Sequence, residues 1–412
     1  MKNLLYIVML LLCSLGFVAC EESNTGIEPN NGIEFIFKTA VSNYHAVVDT
    51  TNKTISASGI NSSKEIKSVA YQLPEGYTIS PEPTEVDVWY KEQIFEITSN
   101  KGVSEKYTLL LPDIKEVVDN EFVVMGYIMI DRVDFATIFE TIDFSKVTHT
   151  IVSFANIKSD ATIITTSIDK NVDLVVDAAH QAGGKALLAI NKAEEGEFTE
   201  AISTEEKRTN LIETLVEYAQ ARGFDGIDID YEEYNTFNLE DLIAFAAQLR
   251  ESMPQEWLLT CAVAPWLEYD GYAQYFDYIN VMSYDDKVTG DTPGAHASMD
   301  KFKSDMANTQ KWAISDAQIV GGVPFYGWSW EDPSSVLGIS YDYVISRFPT
   351  AEVADADNYG SLYYNGRNTI REKCVYVKEY GYGGIMIWQM AQDCLNPDFR
   401  LLDVIDQEMR NE

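Results

Sequence analysis

Short runs that alternate apolar and polar residues fill positions 33–115. "IEFIFKTAV" and "EVDVWYKEQIFEITS" are examples, and turn residues separate such runs without any helical period. Many short strands between turns are typical of a β-sandwich. The pattern therefore predicts a small, immunoglobulin-like β-sandwich domain over residues 33–115. Within it, Trp89 and Tyr90 either fill the sandwich core or face a sugar.

From residue 119 onward, apolar runs of strand length alternate with helical segments. The runs occupy residues 121–130, 148–155, 185–190, 224–232, 257–264, 277–283, 318–325 and 384–389. In the helix that begins near Leu239, apolar residues recur as one face, at Leu242, Phe245, Ala246 and Leu249. Eight buried strands with interleaved helices predict an α/β fold, a (β/α)8 TIM barrel over residues 119–412. A doubly wound sheet is the alternative, but such sheets often carry a Gly-rich phosphate turn, which this sequence lacks.

The fourth run, "FDGIDIDYEE", alternates acids with apolar residues. Successive side chains of a strand point to opposite sides, so Asp228, Asp230 and Glu232 share one face and the residues between them share the other. In a barrel strand the apolar face packs on the helices, and active sites lie at the C-terminal ends of the strands. The pattern thus predicts a row of carboxylates that points up the barrel into a catalytic mouth.

The acid row also suggests a chemistry. Crowded carboxylates spread their titration, so we expect the row to hold at least one proton near neutral pH. Glu232 is the outermost member and can serve as a protonated general acid. A divalent-cation site is the alternative. Calcium loops place polar residues and Gly between their acids rather than Ile and Tyr, so we expect no metal.

"DGIDIDYE" resembles the DGxDxDxE motif of glycoside hydrolase family 18, the chitinase family. The residues that match are Asp225, Gly226, Asp228, Asp230 and Glu232. Other pieces resemble the family in the same order along the chain. "MGYIMI" is similar to the first strand, "VMSYDD" to the sixth, "GGVPFYGWSW" to the seventh and "GGIMIWQM" to the eighth, and they place the family's residues at Tyr127, Met282, Tyr284, Asp285 and Trp388.

The resemblance implies substrate-assisted hydrolysis, in which the enzyme supplies no nucleophile. Glu232 would protonate the glycosidic oxygen, Asp230 would orient the substrate's own 2-acetamido group, and Tyr284 would donate to the acetamido oxygen. Asp228 would support Asp230 as the inner catalytic acid. The resemblance also implies that the sugar is bound by Trp388, Tyr127, Met282 and Asp285. Asp225 and Gly226 belong to the structural part of the motif. No cofactor is implied.

One position departs from the family pattern. The third strand of the family usually carries a Ser that steadies the inner Asp, here Asp228, and this chain has Ala189 at that position. The loss affects how Asp228 is held, but it leaves the acid itself in place. Asn191, two residues further on, is an alternative hydrogen-bond donor.

The family resemblance leaves several activities open. A chitinase that cleaves β-1,4-linked N-acetylglucosamine polymers is the favoured function, and an endo-β-N-acetylglucosaminidase that cuts N-glycan cores is the alternative. A non-catalytic lectin is less consistent, since such members typically replace the acid that Glu232 retains. Residues 331–383 must hold the eighth helix (about 367–380), which leaves little room for a cleft-walling insertion. We therefore expect an open cleft and endo-type cleavage.

The formal net charge of −35 restricts the classes of molecule that the protein is expected to bind. A strongly acidic surface disfavours nucleic acids and anionic membrane surfaces, whereas a neutral sugar polymer is compatible with it. An N-acetylglucosamine-containing polysaccharide or glycan is the expected partner, and a monomer is the expected state.

The first residues indicate export. A Lys followed by a short apolar run predicts a signal peptide over residues 1–19. Its end, "GFVAC", resembles a bacterial lipobox, which implies that Cys20 is lipidated and anchors the chain to the outer membrane through a tether over residues 20–32. An ordinary cleaved signal or an anchor helix is the alternative. In an oxidising envelope Cys374 and Cys394 are a plausible disulfide, and free buried thiols, with Cys261, are the other interpretation.

Overall fold

The computed structural model describes residues 32–39, 42–60, 66, 68–85, 93–111, 122–132, 134–288, 292–332 and 334–410. The chain divides into two units, Met1–Asp113 and Ile114–Glu412. The predicted signal peptide with Cys20, and the pair Trp89 and Tyr90, lie outside the described residues. Over the ranges just given, no helix combines the length and apolar character needed to cross a membrane.

The N-terminal unit is all-β in its described part. Its strands are β1 (Glu34–Lys38), β2 (Asn43–His45), β3 (Val47–Asp49), β4 (Thr54–Ser56), β5 (Ser68–Gln72), β6 (Thr78–Ser80), β7 (Gln93–Thr98) and β8 (Ser104–Leu110). Among these described strands, one sheet has the order β2-β1-β5 and another β3-β4-β8-β7-β6. Phe35 of the first sheet and Phe95 of the second are both buried, with ring centroids 5.7 Å apart. Facing apolar side chains from two sheets form the core that the alternating pattern predicts.

The second unit alternates strands and helices. Its strands are β9 (Val123–Met129), β10 (His149–Ile157), β11 (Ile163–Ile164), β12 (Lys185–Lys192), β13 (Gly226–Asp230), β14 (Leu258–Val263), β15 (Tyr278–Val281), β16 (Ile319–Pro324), β17 (Tyr326–Ser329), β18 (Leu337–Ser340), β19 (Asn358–Tyr359), β20 (Leu362–Tyr363) and β21 (Gly384–Trp388). Its helices are α1 (Phe135–Phe139), α2 (Val172–Gln181), α3 (Glu197–Ala201), α4 (Glu205–Ala221), α5 (Leu239–Ser252), α6 (Met299–Gln310), α7 (Tyr341–Arg347), α8 (Ala351–Asp355), α9 (Arg367–Tyr380) and α10 (Leu401–Arg410).

Within the described residues 122–410, eight parallel strands close a barrel. The order is β9-β10-β12-β13-β14-β15-β16-β21, and β21 pairs again with β9. The predicted (β/α)8 barrel is therefore confirmed, and each predicted run contains or overlaps one barrel strand. The helical layer is less regular than expected. Between β9 and β10 the described residues form the short α1 and a 3-10 turn (Phe144–Lys146), and between β14 and β15, where every residue is described, one 3-10 turn (Ala273–Tyr275) replaces a full helix.

The two faces of the barrel strands pack in separate cores. Ile227 and Ile229 of β13 join the layer between strands and helices, whereas Tyr127 and Ala189 belong to the cluster inside the barrel. On α5 the predicted apolar face is the buried one. Gly226 begins β13 because a Cβ there would lie 2.2 Å from the carbonyl oxygen of Leu258 on the neighbouring strand. Only glycine permits that approach.

The connection between the seventh and eighth barrel strands is a small folded insertion. In its described residues, β17, β18, β20 and β19 form a four-stranded antiparallel sheet in the order β18-β17-β20-β19. The helices α7 and α8 complete it, and α9 then occupies the residues predicted for the eighth helix.

Two interpretations of the cysteines were open, a disulfide between Cys374 and Cys394 or free buried thiols, and the structure bears out the second. Among the described residues, Cys261, Cys374 and Cys394 are all free and buried. The Cys394 thiol donates to the carbonyl oxygen of Asn396 at 3.2 Å, and burial raises the pKa of Cys374 to about 12. Both thiols are thus inert parts of the core.

Candidate active site

The acid row lies at the C-terminal end of β13. Asp228 is fully buried, Asp230 is 3% exposed, and Glu232 is partly exposed. The strand ends at Asp230, so the prediction that it runs to residue 232 is wrong by two residues. The alternation nevertheless continues, because Tyr231 is buried in the outer core. Exposure therefore rises along the row toward the mouth of the barrel.

Asp228 is held by residues on three other strands of the barrel. Its carboxylate accepts hydrogen bonds from the Tyr127 hydroxyl (2.6 Å), the Thr260 hydroxyl (2.5 Å) and the Asn280 amide (3.2 Å). Burial raises the pKa of Asp228 to about 6, and these three donors oppose the rise. Hydrogen bonds to a carboxylate favour its charged form, so the donors keep Asp228 ionised at neutral pH despite its burial.

The Ala189 departure is explained by this arrangement. Ala189 lies beside Asp228 in the pairing of β12 with β13, and Thr260 lies beside it on the other side, in β14. The donor thus comes from the fifth strand instead of the third. Asn191 does not replace it, contrary to the alternative drawn from the sequence. Its amide lies 3.2 Å from Asp230 Oδ2 and 3.4 Å from Glu232 Oε1.

The surroundings of Asp230 disfavour the charged form of its carboxyl group. Its Oδ2 faces the Asn191 amide, whereas its Oδ1 is buried and finds no hydrogen-bond partner among the residues that the structure describes. Burial, together with the negative charges of Glu232 and Asp228, raises the pKa of Asp230 well above its usual range. Burial and the two neighbouring negative charges therefore disfavour the charged form of Asp230.

Tyr284 and Asp285 follow the end of β15. Tyr284 is buried, and burial with the nearby charges of Asp230 and Glu232 raises its pKa well above the usual value. Its hydroxyl consequently stays neutral and able to donate. Asp285 adopts φ 60°, in the left-handed region that Asp tolerates better than most residues. The turn aims the two side chains at different neighbours.

Asp285 is held by aromatic residues. Its Oδ1 accepts from the Tyr326 hydroxyl (2.7 Å) and the Trp328 indole (3.0 Å), and His296 Nδ1 lies 3.3 Å away. Burial by itself raises the pKa of Asp285, but the bonds from His296, Tyr326 and Trp328 outweigh it and the net direction is down. Asp285 is therefore an anion that organises the loop beside Tyr284.

Trp388 forms an aromatic floor at the end of β21. Its ring stacks on Phe154 with centroids 5.8 Å apart and is tilted against Tyr127 at 5.5 Å. Trp388 is only partly buried, and Met282, also partly buried, packs with it on the inner cluster. The structure thus brings Tyr127, Met282 and Trp388 to the end of the barrel where the acid row emerges.

Asp225 lies at the opposite end of β13, away from the mouth. Its Oδ2 accepts from the backbone N–H of Ala186 at 2.8 Å, and His180 Nε2 lies 2.8 Å from the same oxygen. These contacts tie the start of β13 to β12 and α2. Asp225 is therefore placed to support the strand and not to touch a substrate.

Several residues of the site do not follow from the motifs. Thr260 and Asn280 are polar residues inside otherwise apolar strand runs, and that signal was available in the sequence. Tyr234 donates to Glu232 Oε2 at 3.3 Å, and its ring lies 5.4 Å from that of Trp266. Trp266 is 61% exposed, although it follows a buried strand. An indole this exposed does not fill the core.

The arrangement has the parts needed for acid catalysis on a neutral substrate. It combines a partly exposed carboxyl, a buried acid with an unpartnered oxygen, a neutral tyrosine hydroxyl and an aromatic floor. Within the described residues, no group of three or more His, Cys, Asp or Glu side chains is arranged to hold a metal ion.

Comparison with known proteins gives one consistent result. The sequence model described as Glycosyl hydrolases family 18 matches residues 123–393. Endochitinase 1 of Metarhizium robertsii is 24% identical over 327 residues, which cover 62% of this chain and 77% of that protein. A chitinase from Bacteroides thetaiotaomicron of known crystal structure is 39% identical with a TM-score of 0.67, and the match covers 71% of this chain and 97% of that one. The family 18 chitinase ChiB from the chitin utilization locus of Flavobacterium johnsoniae is 26% identical with a TM-score of 0.64, covering 71% and 94%. The chain therefore belongs to glycosyl hydrolase family 18 and is a glycosidase.

Proposed function

We propose that this protein hydrolyses β-1,4-linked N-acetylglucosamine polymers, as chitin or chito-oligosaccharides, by a substrate-assisted, retaining mechanism. The observation that carries the proposal is the convergence of Glu232, Asp230, Tyr284 and Trp388 at one end of the barrel. The similarity to proteins named as chitinases supports the same substrate class.

Glu232 is the general acid in this scheme. It is the outermost and most exposed acid of the row, and so it is the one that a glycosidic oxygen in the cleft can reach. Proton transfer to that oxygen makes the departing sugar a neutral alcohol. General acids of this kind contribute typically about 10²–10⁴-fold to the rate.

Asp230 and Tyr284 act on the acetamido group of the sugar before the cleaved bond. The acetamido carbonyl oxygen attacks the anomeric carbon as the glycosidic bond breaks, and an oxazolinium ion forms. The unpartnered Oδ1 of Asp230 is free to accept the acetamido N–H, and the Tyr284 hydroxyl donates to the acetamido oxygen. Water then opens the oxazolinium from the face that the leaving sugar vacated, so that the configuration is retained.

Two tryptophans are the stacking surfaces for sugar rings in this scheme. Trp388 stacks on the ring that carries the acetamido group, and Trp266, beyond Glu232 and Tyr234, is placed for a sugar on the leaving-group side. The insertion between β16 and α9 is a compact sheet with two short helices. An open cleft that a long polymer enters sideways is consistent with this small insertion, and we propose endo-type cleavage.

The test is product analysis on two substrate classes. Purified protein is incubated with chito-oligosaccharides and, separately, with a high-mannose glycopeptide, and products are read by mass. Mixed intermediate products from long chito-oligosaccharides support the proposal. Cleavage of the glycopeptide alone would instead establish an endo-β-N-acetylglucosaminidase, and binding without cleavage of either would establish a lectin. Release of disaccharide alone from the first minutes would refute endo cleavage.

We also propose that the mature protein is lipid-anchored at Cys20 in the outer membrane. The support is the sequence "GFVAC" after a signal-like run. A Cys20→Ala variant is expected to leave the membrane fraction. Retention of the variant in that fraction would show that a different element holds the protein there.

A further inference from the structure

Glu232 lies outside the barrel sheet, so the pairing of β13 does not fix it. The last strand residue is Asp230, and the residues on either side of Glu232 are buried, Tyr231 at 3% exposure and Glu233 at 0%. A carboxyl group that must meet a glycosidic oxygen needs a fixed backbone. The contacts of these two neighbours show what fixes it.

Glu233 is anchored at the start of α3. Its Oε1 accepts from the backbone N–H of Phe198 at 3.0 Å, and its Oε2 accepts from the N–H of Thr199 at 2.7 Å and from the Thr199 hydroxyl at 2.5 Å. Hydrogen bonds to an ionised acceptor are stronger than those between neutral groups. Together these bonds hold Glu233 in one orientation against the segment after β12.

Tyr231 is tied to the same point. Its hydroxyl lies 2.5 Å from the Thr199 hydroxyl. The Thr199 hydroxyl has a single hydrogen, and it donates this hydrogen to the Glu233 carboxylate in a hydrogen bond. Tyr231 must therefore be the donor in its own bond with the Thr199 hydroxyl. The Tyr231 ring also packs edge-on against Phe198, with centroids 5.2 Å apart. Both neighbours of Glu232 therefore converge on Phe198 and Thr199.

Lys192 holds the backbone of Glu232 itself. Its ammonium group donates to the carbonyl oxygen of Glu232 at 2.7 Å and pairs with Glu195 at 2.5 Å. The outward faces of residues 231 and 233 and the carbonyl of residue 232 are thus all fixed by residues 192–199. Only the Glu232 side chain is left to face the cleft.

We propose that Glu233, through Thr199, is a positioning residue for the general acid Glu232. The proposal rests on the proposed function, because Glu232 must be the proton donor for its position to matter. Glu233 does not touch the substrate. It sets the direction of the neighbouring side chain, and a misplacement of about 1 Å in a reacting group can lower the rate about 10²-fold.

The test separates acid catalysis from general damage by changing the leaving group. A chito-oligosaccharide has a poor leaving group that needs protonation, whereas an aryl chitobioside with an acidic phenol leaves with little help. In Glu233→Gln, which turns one acceptor oxygen into an N–H donor, kcat for the oligosaccharide should fall about 10-fold or more while KM stays within about twofold. The aryl substrate should lose less than about threefold.

Thr199 supplies a matched pair of variants. Thr199→Val keeps the shape and removes the hydroxyl, and it should reproduce the selective loss on the oligosaccharide. Thr199→Ser keeps the hydroxyl and should restore most of the activity. This pair decides the question if Glu233→Gln fails to fold, and thermal unfolding midpoints are measured for every variant.

Different results would contradict the positioning role of Glu233 and the proposed function. Equal losses on both substrates in Glu233→Gln and Thr199→Val, or no loss on either, would overturn the positioning role. Glu232→Gln is the reference, since it should show the same selectivity in stronger form. If Glu232→Gln kept full turnover of the oligosaccharide, the proposed function itself would fail, and the positioning role would fall with it.

Discussion

Lys373 offers a quantitative test of charge burial beneath α9. It lies on α9, is fully buried, and donates from its Nζ to the carbonyl oxygen of Ala297 at 2.9 Å and to Asn365 Oδ1 at 2.8 Å. The Nζ also lies 5.1 Å from the centre of the Phe302 ring. Burial lowers the pKa of Lys373 from 10.5 to about 7, although nearby acids oppose the change.

The sign and size of the effect follow from proton linkage. Because the folded pKa is below the unfolded one, the unfolded chain binds more protons between about pH 7 and 10.5, and stability rises with pH in that window. The free-energy cost of burying the charged ammonium group is fully present below about pH 7 and absent above about pH 10.5. The gap between the pKa values corresponds to about 5 kcal/mol, at about 1.4 kcal/mol per pH unit.

Lys373→Met removes the titrating group and keeps an unbranched side chain that is one atom shorter. The variant leaves the Ala297 and Asn365 oxygens without this donor, which costs about 1–3 kcal/mol for each. That cost does not depend on pH. The difference in unfolding free energy between wild type and variant therefore isolates the titration of Lys373 from every other group.

Urea unfolding between about pH 7 and about pH 10 measures the difference. Tryptophan fluorescence reports on the second unit, since Trp89 alone of the seven tryptophans lies outside residues 114–412. The unfolding free energy of the wild type should rise with pH, relative to that of the variant, by about 1 kcal/mol per pH unit. Lys311→Met, at an exposed lysine, controls for the loss of one positive charge. A difference that stays constant over this range would refute the reasoning.

Three further predictions concern the acid row. Glu232→Gln should keep the unfolding midpoint and lose about 10²–10⁴-fold in kcat on chito-oligosaccharides; near wild-type turnover would remove Glu232 from the mechanism. Asp230→Asn should lower kcat much more than it raises KM, because the anion matters most once the sugar ring carries positive charge, and efficient cleavage of fully deacetylated chitosan would contradict substrate assistance. Thr260→Val removes a hydrogen bond that favours the Asp228 anion, so the pKa of Asp228 should rise by about 1–2 units. Carboxyl NMR titration against Thr260→Ser, which keeps the hydroxyl, checks this, and equal values in both variants would contradict it.

Local periodicity was sufficient for the architecture and for the acid row. The apolar face of α5 and the opposite faces of β13 depend on spacings of 3.6 and 2 residues, which are written in a few consecutive positions. The inward placement of Asp228 and Asp230 follows from the same parity and from the barrel that the alternating runs predict. The family motif then named Glu232, Tyr284 and Trp388, because the resemblance rests on short contiguous stretches.

Contacts between distant residues were decided by the tertiary structure alone. Asp228 is held by Tyr127, which is 101 residues away in the chain, by Thr260 on the adjacent strand β14 and by Asn280 on β15. Sequence patterns say which way a side chain points, but not which strand stands beside it or in what register. For the same reason the sequence left open whether Cys374 pairs with Cys394 or both stay free. The hydrogen bond from Thr199 to Glu233 could not be predicted either. It depends on the path of the loop after β12, which no short-range sequence pattern encodes.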